Sequence, residues 1–458
     1  MNKLDELIAA LCPDGIDIKK VGDICDTITD YTAAGSFADI AKNVKYINDG
    51  VGYAQLIRTT DLKSAFKNID KFIYVDEHAF NYLWRVNLDS ECLVLPNVGN
   101  CGEVYYVTPD ILPFSHNVLG PNSILVKSSI IDNRYLFHAF QSEKFQKKLA
   151  KITSTTGQTK FNKTNFKALS LPVPPLEVQR EIVRVLDSFT LLTAELTAEL
   201  TARKKQYEFY RDKLLSHDGN YLVKSLAELG EWSGGKTPSM SEKSFWEQGT
   251  IPWISSKDMK SSTLIETKDH ITEKAVKEAS MTVYPANSIA IVTRSGILKH
   301  TFPVAYVPFE TTINQDIKML VVNEGILPRY AFHVIQGKGN DILIKTKKQG
   351  GTVDSLDFQK VLAYKVPVPS KDIQSRVVEL LDNFESICTD LNIGLPAEIE
   401  ARQKQYEYYR ELLLTFAETG STIMTDRQTD RQTGRQDNSV FFWYDLIVYG
   451  TFWLCVSA

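Results

Sequence analysis

Apolar residues return at alternating steps of four and three along two stretches of the chain. From Val178 they fall at Val178, Ile182, Val185, Phe189, Leu192 and Leu196, and from Ile373 at Ile373, Val377, Leu380, Phe384, Ile387 and Leu391. Such spacing suits a stripe that faces a partner helix, and for either run alone a core helix is the alternative; two copies in one phase favour two long helices that pair as an antiparallel coiled coil. Each stretch follows a proline-rich stop, Pro172, Pro174 and Pro175 before the first and Pro367 and Pro369 before the second, which ends whatever precedes it. The first helix runs on to about Leu215. Gly394 and Pro396 interrupt the second, because proline lacks an amide donor and its ring clashes one turn back. At about 1.5 Å per residue each helix spans about 60 Å, the reach of a spacer.

The chain also repeats itself. Arg134-Tyr135-Leu136-Phe137-His138-Ala139-Phe140-Gln141 returns 195 residues later as Arg329-Tyr330-Ala331-Phe332-His333-Val334-Ile335-Gln336. The same offset carries Pro172-Val173-Pro174 to Pro367-Val368-Pro369, Gln179 to Gln374, and Asp187-Ser188-Phe189 to Asp382-Asn383-Phe384. After a small insertion the offset becomes 199, and Arg203-Lys204-Lys205-Gln206-Tyr207-Glu208-Phe209-Tyr210-Arg211 returns as Arg402-Gln403-Lys404-Gln405-Tyr406-Glu407-Tyr408-Tyr409-Arg410. Upstream only Leu56 to Lys63 echoes Trp253 to Lys260. Each repeat therefore joins a variable body to a better-preserved helical tail, a pseudo-twofold plan. The bodies mix β-rich runs, such as Cys92-Leu93-Val94-Leu95 and Ile289-Ala290-Ile291-Val292, with helical stretches such as Arg134 to Ala150, an α/β or α+β pattern.

Composition narrows the function. A chain of 458 residues, 43% apolar and 24% charged, predicts two or three folded domains. Its net charge of −4 gives no overall attraction for nucleic acid, so DNA binding must rest on local basic surfaces. The six cysteines (Cys12, Cys25, Cys92, Cys101, Cys388 and Cys455) form no C-x-x-C pair. Neither a metal site nor a disulfide framework is expected, and a reduced cytoplasm fits best. The N-terminal MNKLDELIAALCPDG lacks the basic-then-apolar order of a signal peptide, so we expect no export.

Catalytic chemistry is not expected. No serine, cysteine or carboxylate partner is read as recurring with His138 and His333, and a lone repeated histidine suits packing or capping. Gly230-Glu231-Trp232-Ser233-Gly234-Gly235-Lys236-Thr237 fits the phosphate-loop pattern, yet Ser225 to Leu229 reads helical where a strand is required and Pro238 follows at once. A Gly-Pro turn opening the second body is the preferred reading, with nucleotide binding as the alternative. No Asn-Pro-Pro-Tyr/Phe methyltransferase box and no nuclease carboxylate set is found.

Lysines gather just before each proline-rich stop. Residues 141–167 hold Lys144, Lys147, Lys148, Lys151, Lys160, Lys163 and Lys167 against the single acid Glu143. Residues 338–365 hold Lys338, Lys345, Lys347, Lys348, Lys360 and Lys365 against three aspartates. Lysines beside glycine turns (Gly157; Gly350 and Gly351) suit DNA phosphate contacts, which position a domain without reading bases. A solvated helix face accounts for them as well, and both readings stand at this point.

Taken together, LPVPPLEVQREIVRVLDSF at 171–189 with RKKQYEFYRDKLL at 203–215, and VPVPSKDIQSRVVELLDNF at 366–384 with RQKQYEYYRELLL at 402–414, resemble the type I restriction-modification specificity subunits. The resemblance covers about residues 13–416. Arg180 becomes Ser375 and Lys204 becomes Gln403 in the second copy, so the two helices need not present identical surfaces. The resemblance implies a first target-recognition domain at 1–170, a spacer helix at 171–216, a second recognition domain at 217–366 and a second spacer helix at 367–416, interrupted near 394–396. It further implies a non-catalytic subunit that reads a two-part double-stranded DNA target. Its paired helices would set the spacing and dock two methylation subunits, joined by restriction subunits. S-adenosylmethionine, ATP and magnesium would belong to those partners, with no cofactor in this chain and no membrane involved. A stand-alone DNA-binding adaptor is the alternative with the same architecture.

The tail, 417–458, departs from this plan. Thr425-Asp426-Arg427-Gln428 recurs as Thr429-Asp430-Arg431-Gln432 and, with one change, as Thr433-Gly434-Arg435-Gln436. The codons ACA GAC AGA CAG would also spell the tetranucleotide ACAG three times over. We therefore expect a slippage tract in the gene that shifts the reading frame, a device for phase variation. Val440 to Val456, apolar and aromatic with only Asp445 charged, then reads as a frame-shifted extension, with a tail anchor at the short edge of a membrane span or a docked helix as the alternatives.

Overall fold

The repeat extends into the parts of the chain where sequence likeness fades. The computed structural model describes residues 3–154, 157–215, 222–348, 353–389 and 394–419. The tail repeats, the apolar end after them, Leu391, Gly350 and Gly351 lie outside these residues. The chain forms two units, one from residues 1–193 with 401–458 and one from residues 194–400.

In the first unit a four-stranded antiparallel sheet runs in the order Thr27–Asp30, Ser123–Lys127, Cys92–Pro96, Tyr105–Val107. A three-stranded sheet beside it runs Ile73–Val75, Ala54–Ile57, Asn117–Leu119, with the last two strands parallel. The second unit repeats both orders. Its larger sheet runs Gly230–Gly234, Ile317–Val322, Ser288–Val292, Val304–Val307, and its smaller one Asp269–Ile271, Ile251–Ile254, Thr312–Ile313, again with the last pair parallel.

Alternation along the central strands explains why they read as unbroken apolar runs. Leu93 and Leu95 face one core while Cys92 and Val94 face another; Ile289 and Ile291 likewise part from Ala290 and Val292. Successive residues of a strand point to opposite faces, so a strand covered on both sides needs apolar residues throughout. One face carries helices, among them Asn133–Gln141 in the first unit and Pro328–Gly337 in the second.

The expected helical stretch from Arg134 to Ala150 is two helices, Asn133–Gln141 and Glu143–Ile152. Ser142 breaks it. Its backbone is extended, its hydroxyl accepts from the Phe145 amide at 3.3 Å and donates to the Ala139 carbonyl at 2.7 Å, a cap that ends one helix and starts the next. A short antiparallel ribbon then ties the start of each body to its end, Asp17–Lys20 to Ser170–Val173 and Leu222–Ser225 to Lys365–Val368.

The first long helix is continuous over Leu176–Leu214, its first part in one unit and its last in the other. The second comprises Lys371–Thr389 and Leu395–Thr419. In the first unit Phe189 stacks on Tyr409 with centroids 5.2 Å apart. In the second, the equivalent pair, Phe384 and Tyr210, stacks at 5.8 Å. The first helix thus meets the end of the second early and its beginning late, the order that antiparallel helices give. Among the described residues no helix is long and apolar enough to cross a membrane.

Candidate nucleic-acid interface

The repeated residues of the sequence meet in one clamp per unit. In the first unit, Asp132 caps the Asn133–Gln141 helix through the amides of Arg134 and Tyr135, at 2.8 and 3.2 Å. That helix projects Arg134 and His138 onto Asp187 of the first long helix. Arg134 Nε lies 2.9 and 3.1 Å from the two carboxylate oxygens, and His138 Nε2 2.9 Å from Oδ1. Tyr135 donates its hydroxyl to the Pro172 carbonyl at 2.9 Å. Gln179, 2% exposed, accepts from the Asp132 amide and donates to the Pro174 carbonyl. The proline-rich stop is therefore held on both sides by the residues that recur.

The second unit rebuilds the clamp. Tyr330 donates to the Pro367 carbonyl at 3.0 Å, and Gln374 joins the Leu327 amide to the Pro369 carbonyl. Arg329 and His333 both reach Asp382, with His333 Nε2 at 2.6 Å, and Arg329 also bonds Glu385 at 2.9 Å. His333, Asp382 and Glu385 are close enough to share an ion, but the Arg329 guanidinium already supplies the positive charge between the carboxylates.

Electrostatics follow from this geometry. Burial holds the His138 imidazole below its ordinary range, against the opposing pull of Asp187, so the ring is neutral near pH 7. Its Nε2 lies 2.9 Å from Asp187 and its Nδ1 2.9 Å from the Tyr406 hydroxyl, which also lies 3.1 Å from Gln141 Oε1. Burial alone would raise the Asp187 carboxyl, but the bond from His138 and the charge of Arg134 outweigh it and hold it low. Asp382 is held low in the same way by His333 and Arg329. Each histidine therefore has a carboxylate partner that itself recurs, Asp187 and Asp382, where the sequence reading expected none; both rings are buried, and the bonds tie each body to a long helix.

The phosphate-loop match is part of the larger sheet. Gly230 to Gly234 is a strand paired with Ile317–Val322, where a Gly-Pro turn was expected over part of this stretch. A side chain at Gly230 would meet the Val321 carbonyl at 2.1 Å, and one at Gly235 the Ile313 carbonyl at 1.8 Å. The glycines permit close backbone approach. The Lys236 amide donates to Ile313 at 3.0 Å, turned into the protein rather than toward an anion.

The lysines sort by partner. On Glu143–Ile152, Phe145 and Leu149 face the core, Lys147 and Lys151 are exposed, and Lys144 and Lys148 are half-buried. Lys147 pairs with Glu143, and Lys148 donates to the Ser170 carbonyl at 2.9 Å. Lys163 pairs with Asp30 at 2.9 Å, while Lys151, Lys160 and Lys167 are exposed. In the second unit Lys345 pairs with Asp341 at 2.7 Å and Lys347 with Asp354 at 3.0 Å, and Lys348 is exposed. Lys338 is half-buried, and Lys360 and Lys365 are exposed.

Each unit also sets its lysine-bearing loop against the loop that follows its central strand. Val98 bridges Lys160 and the Phe161 amide donates to the Asn97 carbonyl at 3.0 Å; at the same place Arg294 bridges Ser355 and the Leu356 amide donates to Thr293 at 2.9 Å. In the second unit this creates an open cleft of about 610 Å³, lined in part by Lys299, His300, Lys347, Lys348 and Asp354. Exposed Arg294 stands on the same loop. Sequence reasoning missed Arg294, Lys299 and His300, since only strand pairing brings them to lysines some fifty residues away. A basic cleft of this kind suits a phosphate backbone.

The packing residues divide as well. Val178, Ile182, Val185 and Phe189 are buried, and Leu192 is half-buried. On the second helix Val377 is buried and Phe384 half-buried, whereas Ile373, Leu380 and Ile387 are exposed; Gln374, Leu381 and Cys388 complete the buried stripe.

Comparison with known proteins agrees with this architecture. The family model for the type I restriction modification DNA specificity domain matches residues 13–203 and again 219–401. The chain is 49% identical over 261 residues to the type I restriction enzyme EcoR124I/EcoR124II specificity subunit of Escherichia coli, a match covering 55% of this chain and 65% of that one. It is 31% identical over 210 residues to the EcoprrI specificity subunit, also of Escherichia coli, covering 42% of this chain and 49% of that one. The chain thus matches less than two thirds of the length of either relative. A solved structure described as the basis of complex assembly and conformational transition of the type I R-M system aligns with a TM-score of 0.55 at 14% identity, over 88% of this chain and 98% of its own, a likeness of fold.

Proposed function

The chain belongs to the type I restriction-modification DNA specificity family, and from that premise we infer that it reads a two-part DNA target and directs partner enzymes to it. One observation carries this reading. Two units share one strand order, but the same loop position holds Val98 in one and Arg294 in the other. A common scaffold with different surface side chains is what reading two different half-sites requires, since base edges are distinguished by the side chains presented to them. Residues 1–170 and 217–366 are the two readers in this account. Lys144, Lys147, Lys148, Lys151, Lys160, Lys163, Lys345, Lys347 and Lys348 contribute phosphate contacts, those already paired within the protein exchanging a partner as DNA arrives.

The long helices act as the spacer and as the platform for two methylation subunits, with restriction subunits joining them. Adenine methylation with S-adenosylmethionine, and ATP- and magnesium-dependent translocation and cleavage, belong to those partners in the cytoplasm; this chain supplies address rather than chemistry. Genome-wide adenine methylation mapping in cells with the gene intact and deleted tests the proposal. The expected result is loss of one split motif, two short specified halves around unspecified bases. Persistence of every split motif in the deletion strain would overturn it.

A further inference from the structure

The loop after the central strand makes the same backbone bonds in both units. In the first, the Asn97 amide donates to the Asn122 carbonyl at 3.0 Å and the Gly99 amide to the Thr159 carbonyl at 2.8 Å; in the second, the Thr293 amide donates to Asp316 at 2.8 Å and the Ser295 amide to Asp354 at 3.0 Å. Between these bonds stands one residue, Val98 in the first unit and Arg294 in the second, paired with Lys160 and Ser355 of the lysine-bearing loop. That loop in turn folds back on itself. Ser154 and Lys160 exchange backbone bonds at 2.8 and 3.2 Å, and the Lys348 amide donates to the Ser355 carbonyl at 2.8 Å.

Each unit therefore sets three short antiparallel segments side by side, and residues directly opposite one another in such segments put their side chains on one face. Lys347 opposes Leu356, so Lys348 opposes Ser355, and the row across the second unit runs Arg294, Ser355, Lys348. Across the first it runs Val98, Lys160, Ser154. Thr293 and Leu356, the next pair along the second unit's segments, are buried, whereas Arg294 and Lys348 are exposed, so the row is the solvent side. Among the described residues the Arg294 guanidinium has no partner. Its backbone is fixed from both sides while its five donors remain free, at the edge of a cleft that carries Lys299 and Lys348.

We propose that Arg294 reads a guanine in the half-site of the second unit, its guanidinium donating to O6 and N7, while Lys348, two strand spacings or about 10 Å away along the row, holds a phosphate beside that base. The inference rests on the specificity-subunit reading and deepens it by naming a reading side chain and its base. The planar fork of arginine matches the paired acceptors of guanine, whereas the point charge of lysine suits a phosphate oxygen. Val98 has no donor to offer, so the first unit reads no guanine from this place. The backbone frame is common to both units, and the side chain it presents is what differs.

The test maps adenine methylation in cells whose complex carries the full chain as wild type, Arg294→Ala, Arg294→Gln or Lys348→Ala. Arg294→Ala is expected to reduce the preference for one G·C pair in one half-site by roughly tenfold or more, with the other half-site unchanged. Arg294→Gln, which keeps a polar side chain, should relax the same position. Lys348→Ala should lower methylation at all sites alike and relax none. Melting of the purified chain should not move with either Arg294 variant, because the side chain is exposed and unpaired; a lowered melting temperature would make Arg294 structural and overturn the proposal. An unchanged map, or an even fall in methylation that relaxes no position, would overturn the guanine contact and leave the specificity reading intact, the even fall making Arg294 a phosphate contact. Relaxation in both half-sites would overturn the assignment to the second unit. Absence of any split motif that depends on the wild-type gene would overturn both readings.

Discussion

The two units build the same clamp with different local balances. In the first, His138 is partnered on both ring nitrogens, by Asp187 and Tyr406, and Arg134 pairs with Asp187. In the second, His333 bonds Asp382 through Nε2 while its buried Nδ1 has no partner, although Tyr207 reaches Gln336 at 3.2 Å just as Tyr406 reaches Gln141 at 3.1 Å. Glu385 stands where the first unit has Thr190, giving Arg329 a second carboxylate. The residues that recur fix the joint between body and helix, and those that do not recur set how strongly each joint depends on any one of its members.

Removing the shared carboxylate should separate the units most. Asp187→Ala leaves Arg134 and the buried His138 without the acceptor they share, and we expect a loss of about 2–3 kcal/mol in the first unit. Asp382→Ala removes the bond at His333 Nε2 but leaves Arg329, the charged member, bound to Glu385, and about 1–2 kcal/mol is expected in the second. The aspartates' partial exposure keeps both below the cost of breaking a fully buried pair. Calorimetric unfolding of the full chain measures both, and an equal or reversed order would break the comparison.

The tyrosines come next. Each tyrosine loses its bond to a glutamine when changed to phenylalanine, but Tyr406→Phe also strands the buried Nδ1 of His138 and should cost about 1–2 kcal/mol, against about 0.5–1 kcal/mol for Tyr207→Phe. Hydrogen exchange of the Asn133–Gln141 and Pro328–Gly337 helices would report each effect in its own unit. Faster exchange in the second helix on Tyr207→Phe than in the first on Tyr406→Phe would contradict the assignment.

The smallest effect concerns acid. The folded-state pKa of His138 is depressed, while the unfolded imidazole titrates near about 6.5. The unfolded chain therefore binds more protons below that value. The stability that comes from burying neutral His138 is present above about pH 6.5 and is lost as pH falls from there toward the folded pKa. The depressed carboxyl of Asp187 adds a further loss only below the ordinary aspartate range. Between pH 7 and 5 the first unit should weaken, and His138→Gln should flatten that slope. A slope unchanged by the substitution would remove His138 from the account.

Much of the clamp was legible, though not as a clamp. Arg134, Tyr135, His138, Gln179 and Asp187 were marked by repetition, but their partnership depends on the fold bringing residues about fifty positions apart into contact. The shared strand order was hidden because apolar side chains exchange freely in a strand buried on both faces: Leu93 and Leu95 in one unit do the work of Ile289 and Ile291 in the other. The lysines were visible as charge, while their partners, Asp30 for Lys163 and Ser170 for Lys148, lie far along the chain. Periodicity named Ile373, Leu380 and Ile387 as a seam. Their exposure could not be read from it, since the cover over the equivalent first face comes from residues near the N-terminus.

The central claim, two readers held at a set distance by helices, is tested most directly in the first long helix, where Thr193-Ala194-Glu195-Leu196 is followed by Thr197-Ala198-Glu199-Leu200. One more copy of the four residues lengthens a helix by about 6 Å and turns it by about 40°. DNA advances about 3.4 Å per base pair and turns once in about 10. Methylation mapping of cells carrying the insertion should therefore return both half-sites unchanged, with the unspecified gap longer by about one or two base pairs. An unchanged gap, or altered bases in either half-site, would contradict the account.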